Sequence, residues 1–418
     1  MQFLPLTRLT SIPNINFTAA FIALVAARVW LSLTDLSNVL KHEQELSSPL
    51  TSFSQLQEGI YLFQHDIDPY SGGSFRHSPL LLSLFTTVLP SSRTLASLLW
   101  TLNDAVGAWA MVEIWRARQH IRSSPRDTLI AALYLLNPYI FLPSVALSTS
   151  SLENTLMLLS ILFACRKKAS AALFTLSFLL QLSLSSILMV LPIALLLVTD
   201  PHSHLASPKA LAVPLKALVS PSGEFVVYTV FLTLVSTLVA GGWAWIPQTW
   251  GATITLPDLT PNTGLWWYFF TEMFDHFRPF FLMVFTTHLL IYIVPVCIKY
   301  QYDPLYASFI LIGILGTFKA YTTLSDPGLF LSMIAIFPEI YPHMRHPIVT
   351  TLLHLHAALL MPLFNHLWLT QGTGNANFFY ATTLVFACAN AAGLVDCMWA
   401  GLRIAIGEEV EGWAVVQE

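Results

Sequence analysis

Long apolar segments, separated by short polar connections, make up most of this sequence and constrain its fold more than any other feature. Of its 418 residues, 55% are hydrophobic and only 10% are charged. A soluble protein of this length would need far more charged residues to cover its surface. Because backbone polar groups in lipid must be satisfied internally, we expect an all-α, polytopic membrane protein that forms one multispanning domain over residues 1–418.

The apolar segments predict about 12 membrane helices, including short and re-entrant ones. The candidate segments are 15–33, 93–115, 127–147, 152–165, 169–184, 186–199, 224–245, 266–298, 304–321, 328–341, 347–369 and 378–403. Several are shorter than the ~20 residues needed to cross a bilayer, so 152–165 and 169–184 are interpreted as half-helices buried by their neighbours. The apolar piece 78–89 is predicted to be re-entrant or interfacial, and 55–63 to be a helix along the interface.

The distribution of lysine and arginine predicts the orientation. With the N-terminus in the cytosol, thirteen of these residues lie in cytosolic connections and three in the opposite loops. This asymmetry is what the positive-inside rule requires. The long loop 34–92 and the loops 246–265 and 370–377 then face the lumen, whereas both termini and the acidic tail 404–418 are cytosolic.

Composition and charge also exclude several classes of function. The net charge is −4 and the basic residues are dispersed, so the sequence predicts no nucleic-acid partner. The four cysteines lie in apolar stretches without a CxxC pair, and they are interpreted as small core residues. We predict no metal site and no cofactor. Isolated charged residues in the apolar segments are predicted to form internal ion pairs or to snorkel; they are Arg28, Asp104, Glu113 and Lys319.

Two short polar islands are the main candidates for function. The first spans 274–278 (Phe274, Asp275, His276, Phe277, Arg278), and the second spans 371–377, from Gln371 to Asn377. Polar residues at membrane depth are costly and usually functional. Under the predicted orientation both islands face the lumen, which suggests a site for a polar-headed lipid.

Each island has more than one interpretation. Glu272 and His276 are four residues apart and would share a helix face, which a general acid–base pair requires. The alternative is an aromatic belt formed by 266–270, with polar groups reaching lipid headgroups. In the second island, Asn375 and Asn377 offer neutral amides for sugar hydroxyls or phosphate oxygens, or the segment is a turn that caps the last span.

Two acids in the first loop also have two interpretations. Asp66 and Asp68 could share a divalent cation with a diphosphate. Alternatively, they are loop acids before the turn at Pro69-Tyr70, because Pro and Gly-Gly punctuate 66–81 as ordered turns.

Four motifs spread from the first loop to the last span are shared with one family. They lie at 69–72 with 78–81, at 134–139, at 270–285 and at 374–381. Together they resemble the PIG-U family, the polytopic subunit of the glycosylphosphatidylinositol (GPI) transamidase complex. The resemblance implies a non-catalytic endoplasmic reticulum membrane protein of GPI-anchor biosynthesis that binds or presents the GPI lipid. Its implied partners are a catalytic cysteine-protease-like subunit and accessory membrane subunits.

The resemblance also implies roles for individual residues. Asn375 and Asn377 would hydrogen-bond the glycan or phosphate. Asp275, His276 and Phe277 would line the same lumenal mouth. Phe274 and Phe281 would face acyl chains.

The Pro-Tyr and Pro-Leu-Leu pattern is also similar to that of dolichol-phosphate-mannose-dependent mannosyltransferases. Those enzymes carry a catalytic acidic pair earlier in the first lumenal loop, where this chain has Leu50-Thr51-Ser52. Hydroxyl and alkyl groups cannot supply the acid–base step. The resemblance therefore implies a scaffold like that of the C-type glycosyltransferases without the transfer chemistry. The alternative is an active mannosyltransferase of GPI biosynthesis that uses Asp66 and Asp68.

Overall fold

The predicted all-α class is confirmed by the structure of the chain. The computed structural model describes residues 16–41, 43–90, 92–199, 205, 215–407 and 412, and over these residues it is helical and contains no β-strand. Most of the predicted acidic tail 404–418 lies outside the described residues. The assignment of one multispanning domain stays a prediction.

The helices follow one another with short connections. The α-helices are α1 Phe17–Ser32, α2 Leu36–Leu40, α3 Phe53–Gln64, α4 Pro79–Thr87, α5 Arg93–Gln119, α6 Asp127–Leu135, α7 Pro138–Val145, α8 Ser150–Cys165, α9 Ala169–Leu182, α10 Val190–Val198, α11 Val219–Ala240, α12 Trp245–Gln248, α13 Trp250–Thr255, α14 Trp266–Thr271, α15 Arg278–Ile291, α16 Ile293–Lys299, α17 Pro304–Phe318, α18 Ser325–Met333, α19 Pro347–Asn365 and α20 Ala376–Ile406. Short 3₁₀ helices cover Leu184–Met189, Leu215–Leu218, Ile334–Ile336 and Pro338–His343, and a π-helical turn covers His366–Thr370.

Five of the described helical stretches are long and apolar enough to cross a membrane: Arg93–Gln119, Lys216–Ala240, Arg278–Lys299, Pro347–Thr370 and Ala376–Ile406. The pair α6 and α7, bent by 51°, would make a sixth. Asn137 causes this bend, because its side chain accepts a hydrogen bond from Tyr139 N at 3.0 Å and Pro138 begins α7. Six further apolar helices have 10–17 residues. The polytopic class is confirmed, and the count of about 12 stays a prediction.

One predicted apolar segment, 266–298, is interrupted. Residues 272–277 form turns between α14 and α15, with Phe277 N bonded to Phe274 O at 3.0 Å and Arg278 N to Asp275 O at 3.2 Å. Pro279 lies in the first turn of α15, where its missing N–H is harmless, but it disfavours a helix continuing through from α14. The prediction that Glu272 and His276 share a helix face is therefore wrong.

The first loop contains a predicted helix and predicted turns. Helix α3 covers the predicted helix 55–63, and 65–78 form turns before α4 begins. Helix α4 buries Leu81, Leu82 and Phe85. Its position in or beside the membrane stays a prediction.

The predicted internal ion pairs are confirmed. The pairs are Arg28 with Asp104, Glu113 with Arg116 and Arg166, and Lys319 with Glu153 and Asp326. A further buried guanidinium, that of Arg118, bonds Asp303 and Glu339 at 2.7 Å each. Since unpaired charges are costly in an apolar core, these pairs explain how the protein tolerates the charges of Arg28, Arg118 and Lys319.

Contacts between connections sort them into two ends of the helix bundle. One end gathers segments predicted to be lumenal, through the bonds Thr149 N to Thr51 O at 2.8 Å, Leu324 N to Glu45 O at 3.1 Å and Arg76 Nη1 to Gln248 O at 3.4 Å. The other end gathers segments predicted to be cytosolic, including the Arg118 pairs and the pair between Arg116 and Asp127. Segments predicted to share a side of the membrane therefore meet in space.

Candidate functional site

Asn375 in the second island caps the last helix. Its Oδ1 accepts hydrogen bonds from Asn377 N at 3.0 Å and Phe378 N at 3.3 Å, which satisfies two N–H groups that the helix leaves free. Its side-chain nitrogen has no partner among the described residues, and the residue is exposed. The carbonyl half of the amide therefore holds the helix, and the N–H half remains available to a ligand.

Asn377 connects the second island to the helix that precedes the first. Its Oδ1 accepts a hydrogen bond from the Tyr268 hydroxyl on α14. The Tyr268 and Tyr380 rings lie 4.7 Å apart, and the Tyr380 hydroxyl bonds Leu265 O at 3.0 Å. Tyr268 also interacts with the Glu272 carboxylate. The structure therefore links the second island to α14, the helix that leads into the first island. Residues 272–278 and 371–377 are together called the rim here.

The glycines of the second island allow its chain reversal. Thr373 N and Gly374 N both bond Leu367 O, at 3.0 and 3.1 Å, so the segment folds back on the π-helical turn. Gly372 has φ +65°, a conformation that favours glycine. A Cβ at Gly374 would lie 3.2 Å from the backbone nitrogen of Trp368, which is tighter than an ordinary contact.

The first island presents aromatic rings at the surface. Phe274 and Phe277 are 73% and 51% exposed, and the His276 ring lies 5.9 and 4.0 Å from them. Asp275 is exposed as well. Phe281 differs, because it is partly buried with its ring 5.8 Å from that of Phe269. An acyl-facing position thus suits Phe274 better than Phe281.

The aromatic-belt interpretation does not fit most of 266–270. Trp266, Trp267 and Phe270 are 2–3% exposed and belong to the packed core. Trp267 instead packs beside the second island, with its ring stacked 6.3 Å from that of Trp368. These rings support the rim from within.

A cavity of about 590 Å³ lies next to the π-helical turn. Leu40 and residues 43–46 of the first loop form one wall, and the end of α19 forms another. Glu45 is 4% exposed, and its Oε1 accepts a hydrogen bond from Asn365 Nδ2 at 3.2 Å. Burial raises the pKa of Glu45 to about 7; the Asn365 hydrogen bond lowers it and Glu43 raises it further. Sequence reasoning did not single out Glu45, because its contact with Asn365 joins residues 320 positions apart.

The acids of the first loop serve its turns. Asp68 Oδ1 accepts a hydrogen bond from Tyr70 N at 2.9 Å, which is an Asx turn. Asp66 is exposed and has φ +57°. Both residues line a separate cavity of about 280 Å³. The geometry supports the interpretation as loop acids.

Residues 50–52, where the resemblance to mannosyltransferases would place catalytic acids, hold neighbouring segments together. Thr51 O accepts from Thr149 N, and Ser52 O lies 2.8 Å from His77 Nε2. Burial lowers the pKa of His77 to about 4, so this ring is neutral at pH 7. The Tyr70 hydroxyl bonds His77 O at 3.0 Å, which ties the same turn together.

Comparison with known proteins identifies the family of the chain. The family model described as "PIG-U: GPI transamidase subunit PIG-U" matches residues 22–386. The chain is 36% identical over 393 residues to the GPI transamidase component GAB1 of Saccharomyces cerevisiae, covering 93% of this chain and 95% of the relative. It is 32% identical to the GPI-anchor transamidase component PIGU of Mus musculus, covering 91% of this chain and 92% of the relative, and 30% identical to that of Homo sapiens with the same coverage. Matches of this length and identity confirm the resemblance in the motifs, and the chain belongs to the PIG-U family.

Proposed function

We propose that this chain is the multi-pass endoplasmic reticulum subunit of a GPI transamidase complex, and that its rim holds the GPI lipid without catalysing the transfer. The description of the family and the names of the relatives support the complex and its anchor chemistry. The observation that carries the lipid-holding role is the divided amide of Asn375: its oxygen caps α20 while its N–H groups are exposed.

The rim suits a phosphate-bearing headgroup. Helix α20 has 31 residues, and the N-terminus of a helix favours negative charge. The exposed N–H groups of Asn375 and Asn377 can donate to phosphate or sugar oxygens. Phe274 and Phe277 add exposed apolar surface in the first island, and polar and apolar surfaces together suit a lipid that is polar at one end.

The charge distribution supports the orientation and the partners. By the positive-inside rule the rim faces the lumen and both termini are cytosolic. The complex must join a protein carboxyl end to the ethanolamine of the GPI lipid. We assign that chemistry to a cysteine-protease-like partner subunit, with accessory membrane subunits completing the assembly.

The non-catalytic role is supported by the first loop. Position 50–52 offers no carboxylate, and its backbone holds other segments together. Asp68 is engaged in its own turn. The mannosyltransferase alternative uses both acids of the first loop to take and give a proton at the sugar. Asp66 is exposed, but Asp68 is engaged in the turn, which disfavours that alternative.

Asn375→Asp tests the proposal, because it retains the cap and removes the N–H donors. Aspartate caps helices as well as asparagine does, so assembly and thermal stability should persist. A hydrogen bond to a charged group contributes about 1.5–3 kcal/mol, so the GPI lipid concentration needed for half-maximal transamidation should rise by roughly 10- to 100-fold. The measurement is anchor attachment by the reconstituted complex at limiting GPI lipid.

Asn16→Asp is the matched control. Asn16 caps α1, accepting from Thr18 N at 3.1 Å, and lies at the predicted cytosolic end. The Asn16→Asp variant should use the GPI lipid as the unaltered chain does. Unaltered GPI use by Asn375→Asp would refute a donor role for the rim. Mannose transfer from dolichyl-phosphate-mannose by the purified chain, lost in Asp68→Asn, would establish the mannosyltransferase alternative instead.

A further inference from the structure

The cavity beside Glu45 holds a buried acid without a cation. Asp104 faces Arg28, and Asp303 faces Arg118. Glu45, in contrast, has the neutral amide of Asn365 as its side-chain partner, and no Lys or Arg lies within ion-pair distance of it among the described residues. A buried carboxylate is stable as an anion only when a cation or several donors compensate it.

The surroundings of Glu45 reinforce this deficit of positive charge. The titratable groups that line the same cavity are Glu43, Glu45 and His366. His366 Nε2 already contacts Gln371 Nε2 at 3.3 Å. Glu45 uses Oε1 for Asn365, and its Oε2 has no partner among the described residues. The cavity therefore offers an acceptor to a ligand that brings its own positive charge.

We propose that this cavity binds the primary ammonium group of an ethanolamine phosphate headgroup, with Glu45 as the acceptor. Two lipids carry this chemistry: a membrane phosphatidylethanolamine and the GPI lipid itself. The second source rests on the proposed function, and the first does not.

The size and walls of the cavity fit such a headgroup. Its volume of about 590 Å³ falls within the range of roughly 300–1,000 Å³ that is common for ligand pockets. Leu142, Met361 and Leu369 make part of its wall apolar, which suits the carbon skeleton next to the charged group. The π-helical turn that borders the cavity leads directly into 371–377, so the cavity adjoins the segment to which the proposed function assigns the lipid headgroup.

The test compares lipids that differ only at the amine. The purified full-length chain in non-ionic detergent is titrated with short-chain phosphatidylethanolamine, with its N-acetyl derivative, and with a GPI lipid before and after N-acetylation. Dissociation constants are read by native mass spectrometry. We expect N-acetylation to weaken binding of at least one of the two lipids about tenfold. It removes the positive charge of the ammonium group, which donates a hydrogen bond to the Glu45 carboxylate in this proposal.

Glu45→Gln should weaken the binding of the same lipid by a similar factor, because the glutamine amide retains the shape of the carboxylate and lacks its charge. Glu58→Gln is the control, since Glu58 is exposed on the same loop outside the cavity, and it should change nothing. If the Glu45 variant does not fold, the comparison of acetylated with free lipid on the unaltered chain still decides.

The pattern across the two lipids identifies the source. An amine-dependent and Glu45-dependent affinity for phosphatidylethanolamine supports a bulk phospholipid, and the same dependence confined to the GPI lipid supports the anchor. Equal affinity for free and acetylated forms of both lipids would overturn the inference. Because the phosphatidylethanolamine titration contains no GPI lipid, this result is independent of the Asn375→Asp experiment on the rim.

Discussion

Removing the Lys319 ammonium should destabilise the protein more than any exposed charge change. Lys319 Nζ lies 3.0 Å from Glu153 Oε2 and 3.0 Å from Asp326 Oδ1, and both Lys319 and Glu153 are 8% exposed. Lys319→Met keeps the length of the side chain and deletes the charge. Two carboxylates are then left together without the cation between them.

The distances set the magnitude. At an effective dielectric constant of about 20, each 3.0 Å contact is worth about 5.5 kcal/mol of attraction before desolvation. Desolvation of the three groups offsets much of this, and breaking one buried pair usually costs about 3–5 kcal/mol. We therefore expect Lys319→Met to lower the free energy of unfolding by about 3–5 kcal/mol.

A double-mutant cycle with Glu153→Gln isolates the interaction. Asp326 would keep its bond from Thr323 N at 2.8 Å, so the double variant should be less destabilised than the sum of the singles by about 1–3 kcal/mol. The assay is equilibrium unfolding in mixed micelles. Lys41→Met, on an exposed loop residue, is the control and should stay within about 0.5 kcal/mol of the unaltered chain. A coupling energy near zero, or equal effects of the two lysine changes, would refute the reasoning.

Three further outcomes are expected. Gly328→Ala should cost about 1–3 kcal/mol of unfolding free energy, because its Cβ would lie 2.8–3.1 Å from Cβ, C and O of Tyr139, whereas Gly223→Ala meets open space on a helix and should be neutral or stabilising. Because the pKa of Glu45 is raised in the folded protein, folding favours its neutral form, and its contribution to stability is complete below about pH 4.5 and is lost as the pH rises through about 7. The thermal midpoint should therefore fall between these pH values, and Glu45→Gln should remove the fall. In a Cys388→Ala background, Thr373→Cys should react with an impermeant maleimide from the lumenal side, because Thr373 is exposed in the second island. Labelling from the cytosol would place the rim on the wrong side.

The features that sequence could predict are those set by local composition. The length of the apolar segments predicts helices in lipid. Because an unpaired charge in an apolar environment is costly, the sequence also predicts that Arg28 and Lys319 have acidic partners. The partners themselves were not predictable. Lys319 meets Glu153 from 166 positions away, and no periodicity encodes such a distance.

The interruption at 272–277 shows a different limit. Apolar residues continue on both sides of it, so hydropathy favours one segment over 266–298. Backbone turns over 272–277 and Pro279 in the first turn of α15 interrupt the helix within that run. The local turn therefore breaks the helix that the apolar pattern predicts, and the first island lies in this turn.

Asn375 shows why the interpretations of the second island could not be separated from sequence. Capping a helix and contacting a ligand exclude each other only if both roles need the same atoms of the side chain. An amide has an acceptor and two donors, and the structure commits the acceptor to Asn377 N and Phe378 N and leaves the donors exposed. The cap then fixes the direction of the donors, because the Oδ1 bonds hold the amide plane. Stability and ligand contact are therefore coupled at this residue, and a change to alanine would confound them.

Serine, which caps through one hydroxyl oxygen and offers one O–H donor, should retain the cap and lie between asparagine and aspartate in GPI use. A serine variant that matches the aspartate variant would show that both amide N–H groups are needed.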